Sequence, residues 1–373
     1  MKRVLDYNIT SSNILSTFFS VVDTPENTKH DVYDTIICFR DGIQHEFDNI
    51  LKYTHENTKI VVDIVSESGC IDDFLQFFHN FTQRHSNTSF YLIVDSEFEH
   101  KFGANVKVCS SFKLSPLVFF ENHSYVPHNQ QYTIGFPEIY DKNSEFSCLN
   151  GRLRSHRILL LLELIKRGII DLTHQHQNNQ ISFLFYSNES TDYEMYVEMV
   201  NNLGLSSEDV KLLLNVKNSL PIKIRSEDGT PPGTFLQNES FRTILNLVTE
   251  NVAGIDCEIT DINTITFTEK AWIPFRIHQM PIYISVPGYV EQLRKLGFDL
   301  FDDVIDHSYD KEPDVVKRIK MAVDQLEIVS KIDLLDFYNK NYKRFVKNNI
   351  NCESLKMEGY FILRDFILEN DLL

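Results

Sequence analysis

Short runs of apolar and β-branched residues alternate with helix-like segments through the first third of the chain. Such runs occupy Thr35–Phe39, residues 59–65, Ser89–Val94 and residues 106–109. Between them, Ile71–Arg84 repeats its apolar residues at helical spacing. Strands that alternate with helices form a parallel sheet with helices on both faces. The alternation therefore predicts an α/β fold.

The length of 373 residues exceeds that of a typical single domain. A segment rich in Pro, Gly and charged residues at 135–147 predicts a boundary between two α/β domains. We expect an N-terminal domain at residues 1–140, a second domain at 141–330 and a helical segment at 331–373. Amphipathic patterns predict helices at residues 315–330, 334–345 and 360–368.

The net charge of −17 argues against a general clamp for duplex DNA, which needs an excess of Lys and Arg. Six cysteines form no Cys-x-x-Cys pair and no metal-binding spacing, as in reduced cytosolic proteins. The N-terminus lacks the apolar core of a signal peptide, and the most apolar run, residues 158–165, is too short to span a bilayer. A cytoplasmic protein with no membrane span and no metal is expected.

Acidic residues follow the predicted strands of the first domain. Asp41, Glu67, Asp95 and Glu97 lie in the loops after these strands. In open parallel sheets, ligands bind outside the carboxyl ends of the strands. These acids are therefore candidates for function, and solvated acids in ordinary loops are the alternative.

A basic segment opens the second domain. It runs from Asn150 to Arg157 and includes Arg152, Arg154 and His156. A helix to Arg167 is predicted to follow, with Ser155 as its N-cap and Gly168 as its stop. Basic residues at a helix N-terminus oppose the helix dipole, so their presence favours a bound anion. The alternative is a solvated basic face at a domain junction.

The sequence Thr268-Glu269-Lys270 opens another predicted helix, and an apolar strand and a Pro-Gly turn into a second helix follow. Helix N-termini suit phosphate because they present free N–H groups and a partial positive charge. A carboxylate accepts hydrogen bonds from sugar hydroxyls, and a lysine neutralises a diphosphate. The two helix N-termini, one acidic side chain and one basic side chain are therefore expected to converge on a single ligand, and this combination suits a sugar-nucleotide pocket. The alternative is a capped surface helix followed by an ordinary buried strand.

Two blocks of the sequence each follow a longer pattern. The first has the form T-E-K-x-x-x-P, then P-I, L-R-x-L-G-F and D-x-S-Y-D, with residues Thr268, Glu269, Lys270, Pro274, Pro281, Ile282, Leu293, Arg294, Leu296, Gly297, Phe298, Asp306, Ser308, Tyr309 and Asp310. The second comprises Leu149, Asn150, Arg152, Arg154, His156, Arg157, Leu160, Glu163 and Leu164. Over residues 145–325 these blocks resemble a family of phage and giant-virus glycosyltransferases. The Glu-Lys block more distantly resembles the donor site of α1,3-fucosyltransferases.

The resemblance implies a GT-B-like architecture, in which two Rossmann-like domains face a cleft and C-terminal helices pack back across it. Residues 1–140 would bind the acceptor and residues 141–330 the nucleotide sugar. The implied reaction is metal-independent transfer of a sugar from a nucleotide-sugar donor to a hydroxyl, with no further cofactor. In a virus, the enzyme would act in the host cytoplasm.

The resemblance and the residue chemistry together select the candidate site residues. The expected donor-binding set is Asn150, Arg152, Arg154, His156, Arg157, Glu250, Thr268, Glu269 and Lys270. Within this set, Glu269 is expected to contact the ribose and Lys270 the diphosphate. Glu67 or Asp95 is the candidate catalytic base.

Several alternatives stay open. The acceptor is open, and a hypermodified, hydroxymethylated DNA base and a surface polysaccharide are two candidates. A catalytically silent viral binding or structural protein that retains the fold is the main rival function. A phosphorylase-like or epimerase-like enzyme of similar shape is another. The chain has no glycine-rich loop of the Walker or dinucleotide type and no Gly-x-Ser-x-Gly elbow.

Overall fold

The computed structural model of the chain describes residues 3–7, 18, 22–24, 27–28, 32–39, 43–44, 46–64, 71–96, 101–117, 142, 146–170, 180–186, 192–216, 242–250, 253 and 265–372. The chain divides into two compact units. Unit 1 comprises Met1–Ser124, Ile262–Glu269 and Cys352–Leu373, and unit 2 comprises Tyr125–Asp261 and Lys270–Asn351.

Unit 1 contains a parallel sheet. Its strands in chain order are β1 (Val4–Tyr7), β2 (Val22–Asp23), β3 (Thr35–Phe39), β4 (Lys59–Asp63), β5 (Ser89–Val94) and β6 (Val106–Ser110). Their order in the sheet is β2-β1-β3-β4-β5-β6, and each neighbouring pair is parallel.

Apolar side chains bury both faces of this sheet. On one face, helices α1 (Phe47–Leu51) and α2 (Ile71–Arg84) pack with Ile60 and Phe90 of the strands. On the other face, Leu363 and Ile367 near the C-terminus pack against Val61 and Ile93. Burial on both sides explains why the central strands β3, β4 and β5 are mainly apolar in sequence.

Unit 2 contains a second parallel sheet. Its strands are β7 (Phe146–Arg152), β8 (Gln180–Tyr186), β9 (Leu245–Thr249) and β10 (Met280–Ile284), in the order β10-β9-β7-β8. The chain passes from β7 to β8 on one side and then returns to β9 on the other. The sheet therefore has a topological switch point between β7 and β9.

The remaining helices described by the structure follow in chain order. They are α3 (Ser155–Lys166), α4 (Asp192–Asn202), α5 (Ser207–Val216), α6 (Glu269–Arg276), α7 (Tyr289–Lys295), a 3-10 helix (His307–Lys311), α8 (Val315–Val329) and α9 (Leu334–Glu369). None of the helices in the described ranges combines the length and apolar character needed to cross a bilayer.

The structure confirms the expected mixed α/β fold with parallel sheets and corrects two helix predictions. Helix α3 begins at Ser155, so Arg154 and not Ser155 is its N-cap. The helices predicted at 334–345 and 360–368 are one helix, α9. Gly359 does not end this helix. A Cβ at Gly359 would lie 2.1 Å from the Lys113 carbonyl oxygen, so only glycine permits this close approach.

Candidate functional site

The carboxyl edge of the unit 2 sheet brings distant sequence blocks together at the switch point. Strand β7 ends at Arg152 and β9 ends at Thr249. Because parallel strands end at the same edge, the segment after β7 lies beside Thr249 and Glu250. Side chains from Asn150 to Arg157 contact residues more than 90 positions later in the chain. Open α/β sheets bind their ligands at such an edge.

Two basic side chains hold the end of β9. The guanidinium of Arg157, which is 2% exposed, donates from Nε to Thr249 Oγ1 at 3.1 Å and from Nη2 to the Glu250 carbonyl oxygen at 3.3 Å. The buried ring of His156 donates from Nε2 to the same carbonyl at 2.9 Å, because a carbonyl oxygen only accepts. The fold therefore uses both basic groups internally.

A chain of hydrogen bonds continues from Arg157 into β7. Thr249 Oγ1 donates to Asn150 Oδ1 at 2.5 Å, and Asn150 Nδ2 donates to Cys148 Sγ at 3.3 Å. Burial raises the pKa of the Cys148 thiol to about 12, so the thiol stays neutral. Asn150 therefore joins the carboxyl ends of β7 and β9.

Glu250, which follows β9, connects the end of this strand with β10 and α7. Its backbone N–H donates to the Ile284 carbonyl oxygen at 3.0 Å, and its Oε1 accepts from the Tyr289 hydroxyl at 2.5 Å. Its side chain is buried, with the residue 2% exposed. Glu250 thus contacts α3, β10 and α7, and its expected role in donor binding stays a prediction.

The N-terminus of α7 is already occupied. Asp310 Oδ1 accepts from the Val290 backbone N–H at 3.0 Å, and Asp310 Oδ2 accepts from that of Glu291 at 3.1 Å. Burial raises the pKa of Asp310, and the two N–H groups oppose that rise. The expectation that two helix N-termini converge on a ligand is therefore wrong for α7, because a carboxylate of the chain itself fills this one.

Residues of the D-x-S-Y-D block form a chain of hydrogen bonds that reaches the backbone of β10. His307 Nε2 donates to the Leu300 carbonyl oxygen at 2.9 Å, and its Nδ1 accepts from the Tyr309 hydroxyl at 2.9 Å. The Tyr309 oxygen in turn accepts from the Tyr283 backbone N–H at 3.2 Å. Burial lowers the pKa of His307, which favours the neutral ring that this chain of bonds requires.

The first turn of α6, from Lys270 onward, lies at the same edge of the unit 2 sheet. Tyr283, near the end of β10, donates from its hydroxyl to the Ala271 carbonyl oxygen at 2.7 Å. Lys270, which immediately precedes Ala271 in the first turn, is half-buried. Thr268 is buried and Glu269 is half-buried, and both belong to unit 1. Of these three residues, Lys270 is the one that belongs to unit 2, and it lies at the carboxyl edge of the unit 2 sheet.

Arg154 differs from its basic neighbours. It is half-buried at the N-cap of α3 and makes no side-chain capping bond. Its Nε is buried and has no hydrogen-bond partner within the described part of the chain. The side chain of Arg152 lies outside the described residues. Arg154 is thus a cation at the switch point whose Nε–H lacks an acceptor among the described residues.

The candidate bases belong to unit 1. Glu67 lies outside the described residues, as do Asp41 and Glu97. Asp95 follows β5 directly and is 2% exposed. Asp63, the last residue of the neighbouring strand β4, is 1% exposed and was not among the predicted site residues. A carboxylate inside an otherwise apolar strand was the sequence signal that could have identified it.

No family model, curated protein or solved structure matches the chain. Across the described residues, no group of three or more His, Cys, Asp and Glu side chains has the arrangement of a metal site. The geometry itself defines a mixed α/β protein with two parallel sheets and a basic cluster at the carboxyl edge of the second.

Proposed function

We propose that the chain is a GT-B-like glycosyltransferase and that unit 2 binds the nucleotide-sugar donor. One observation carries the proposal. Each of the two blocks that resemble viral glycosyltransferases reaches the carboxyl edge of the unit 2 sheet: Arg157 bonds to Thr249 at the end of β9, and Ala271, next to Lys270, bonds to Tyr283 near the end of β10. Ligands of open α/β sheets bind there.

The chemistry of this edge favours an anionic group. The Arg154 Nε–H lacks an acceptor among the described residues, and a phosphate oxygen would supply a charge-assisted hydrogen bond. The first turn of α3 contains no acidic residue, so its positive dipole end has no carboxylate of its own there. The diphosphate of a nucleotide sugar matches both features.

In the proposed reaction, an acceptor hydroxyl oxygen bonds to the anomeric carbon while the bond from that carbon to the diphosphate breaks. A base takes the hydroxyl proton, and Arg154 and Lys270 stabilise the departing diphosphate. Asp95, Glu67 and Asp63 are the candidate bases if the transfer inverts the anomeric centre. The proposed acceptors are a hydroxymethylated DNA base and a surface polysaccharide.

A thermal-shift panel of UDP, GDP, CMP and their common sugar conjugates tests donor binding. A ligand at a hundredfold excess over its Kd stabilises the protein by about 2.7 kcal/mol. Arg154→Ala and Lys270→Ala should weaken binding of the active nucleotide by about tenfold or more. Arg242→Ala and Lys295→Ala are matched controls, because both side chains are exposed and belong to unit 2.

The outcomes separate the candidate functions. Binding that Arg154→Ala weakens, together with release of free nucleotide in the presence of a saccharide or modified DNA, supports a transferase. Binding without turnover for any acceptor supports the silent binding protein. The absence of any nucleotide-dependent shift, or equal affinity in the variants and their controls, contradicts the proposal.

A further inference from the structure

Helix α9 carries a stripe of exposed apolar side chains. Ile350, Met357, Phe361 and Leu368 are 55%, 49%, 43% and 57% exposed. They are separated by seven, four and seven positions. At about 100° per residue, such spacing confines all four to an arc of about 40° on one side of the helix.

The opposite side of α9 is already buried. Cys352, Leu355, Leu363 and Ile367 are each no more than 4% exposed. The exposed stripe is therefore additional to the face that the fold requires. An apolar stripe that is confined to one side of a helix and is not needed for the fold suits an interaction surface.

The four residues of the stripe are spaced symmetrically about Gly359 in the sequence. We propose that α9 pairs antiparallel with α9 of a second copy of the chain, around a two-fold axis at Gly359. Such pairing packs Ile350 against Leu368 of the second copy, and Met357 against Phe361, each contact occurring twice. A two-fold interface needs this self-complementary pattern, whereas an unrelated partner does not.

The polar residues of the stripe complement each other in the same register. Ser354 faces Arg364 of the second copy, and Glu353 lies on the same flank of the helix as Arg364. The Arg364 guanidinium lies 4.8 Å from the Phe361 ring centroid, and its side chain is 42% exposed, so it lies at the interface. Polar layers fix the register of paired helices and reduce their stability. The dimer is therefore expected to be weak and concentration-dependent.

Sedimentation velocity of the full chain from about 1 to about 100 µM tests the association. The wild type should shift from monomer towards dimer with increasing concentration. Phe361→Lys should weaken dimerisation by about tenfold or more. Ile328→Lys, which changes a 53% exposed residue of α8, should dimerise like the wild type. A wild type that stays monomeric throughout, or equal dimerisation in both variants, overturns the proposal.

Cross-linking tests the register and does not depend on the lysine variant being folded. In the antiparallel pair, the double variant Ile350→Cys/Leu368→Cys should form a disulfide-linked dimer under mild oxidation. Either single variant should not, because like positions lie about 27 Å apart at 1.5 Å per residue. The wild type is the background control, with Cys38, Cys109, Cys148 and Cys352 buried. Efficient cross-linking of a single variant, or none in the double variant, contradicts this register.

Discussion

A buried basic side chain bonds to the backbone near each end of strand β9. The two side chains differ in whether they keep their charge as the pH rises. At the amino edge of the unit 2 sheet, Lys142 Nζ donates to the carbonyl oxygens of Thr243 at 3.0 Å and Ile277 at 2.8 Å. At the carboxyl edge, Arg157 donates to Thr249 and Glu250. Burial lowers the pKa of Lys142 to about 7, whereas an arginine keeps its charge.

The comparison separates basic side chains that bond within the fold from one whose Nε–H has no acceptor among the described residues. Both Lys142 and Arg157 are bonded to acceptors of the chain itself. Arg154, at the carboxyl edge, has a buried Nε without an acceptor in the described residues. We infer that the amino edge maintains the fold and that the carboxyl edge also holds a cation for an anionic ligand.

The largest expected effect comes from removing Arg157, the cation that bonds to the end of β9 at the carboxyl edge. Arg157→Ala leaves buried acceptors at the end of β9 without this donor and opens a cavity, so it should lower the free energy of unfolding by about 4 kcal/mol. Urea denaturation measures the change. Arg242→Ala, at an exposed position just before β9, should change it by less than about 0.5 kcal/mol. Similar losses in both variants would remove the distinction between the two arginines.

The amino-edge cation should make stability depend on alkaline pH. Between pH 7 and its ordinary pKa of 10.5, Lys142 is protonated mainly in the unfolded chain, so this contribution to stability rises with pH. The free energy of unfolding of the wild type, relative to Lys142→Met, should rise by about 3 kcal/mol from about pH 7 to about pH 9.5. A difference that stays constant over this range would show that Lys142 keeps its proton when buried.

His278, also at the amino edge, should control stability in acid. Burial lowers its pKa from 6.5 to about 4, and the charges of Lys142 and Arg276 add to this effect. Its contribution is complete above pH 6.5 and is lost as the pH falls to about 4. Relative to His278→Asn, the wild type should lose about 3 kcal/mol over that range. Asparagine suits the test because residue 278 has a φ of 59°. Parallel acid denaturation curves would contradict this account.

The smallest expected effect comes from removing one tyrosine hydroxyl from a pair of neighbouring aromatic rings. Tyr289 donates to the Glu250 carboxylate and Tyr283 to the Ala271 carbonyl oxygen, and their ring centroids lie 5.2 Å apart. Tyr289→Phe should cost about 2 kcal/mol, because its partner is a buried carboxylate, and Tyr283→Phe should cost about 1 kcal/mol. Thermal unfolding of both variants measures the difference. Equal costs would mean that Glu250 contributes no more than a neutral acceptor.

The fold was predictable where local pattern decides it. The apolar runs identified β3, β4 and β5, because a strand buried on both faces is continuously apolar, and a shorter run located β6, which ends the sheet order and is partly exposed. Strand β2 has only two residues, and so short a segment gives no periodic signal. The sequence pattern predicted helices at 334–345 and 360–368 but not the largely polar stretch between them, whereas the structure has one helix, α9, in which a close approach to Lys113 requires glycine at position 359.

The proximity of several candidate residues was predictable from the sequence, and the groups to which they bond were not. The sequence identified Asn150, Arg157 and Glu250 as candidates, and the fold brings them together at one sheet edge. It did not show that backbone carbonyls would bind Arg157, or that Asp310 would fill the N-terminus of α7. Those pairings depend on packing between segments distant in sequence, which local patterns do not encode.

Hydrogen exchange with and without a saturating nucleoside diphosphate, UDP or GDP, tests the central claim most directly. The account predicts slower amide exchange at the carboxyl edge of unit 2, at the start of α3 and in the first turn of α6. Exchange at the amino edge, in residues 242–244 and 277–279, should not change. Protection at the amino edge alone, or no protection in α3 and α6 when the nucleotide binds, would contradict the assignment of the carboxyl edge as the donor site.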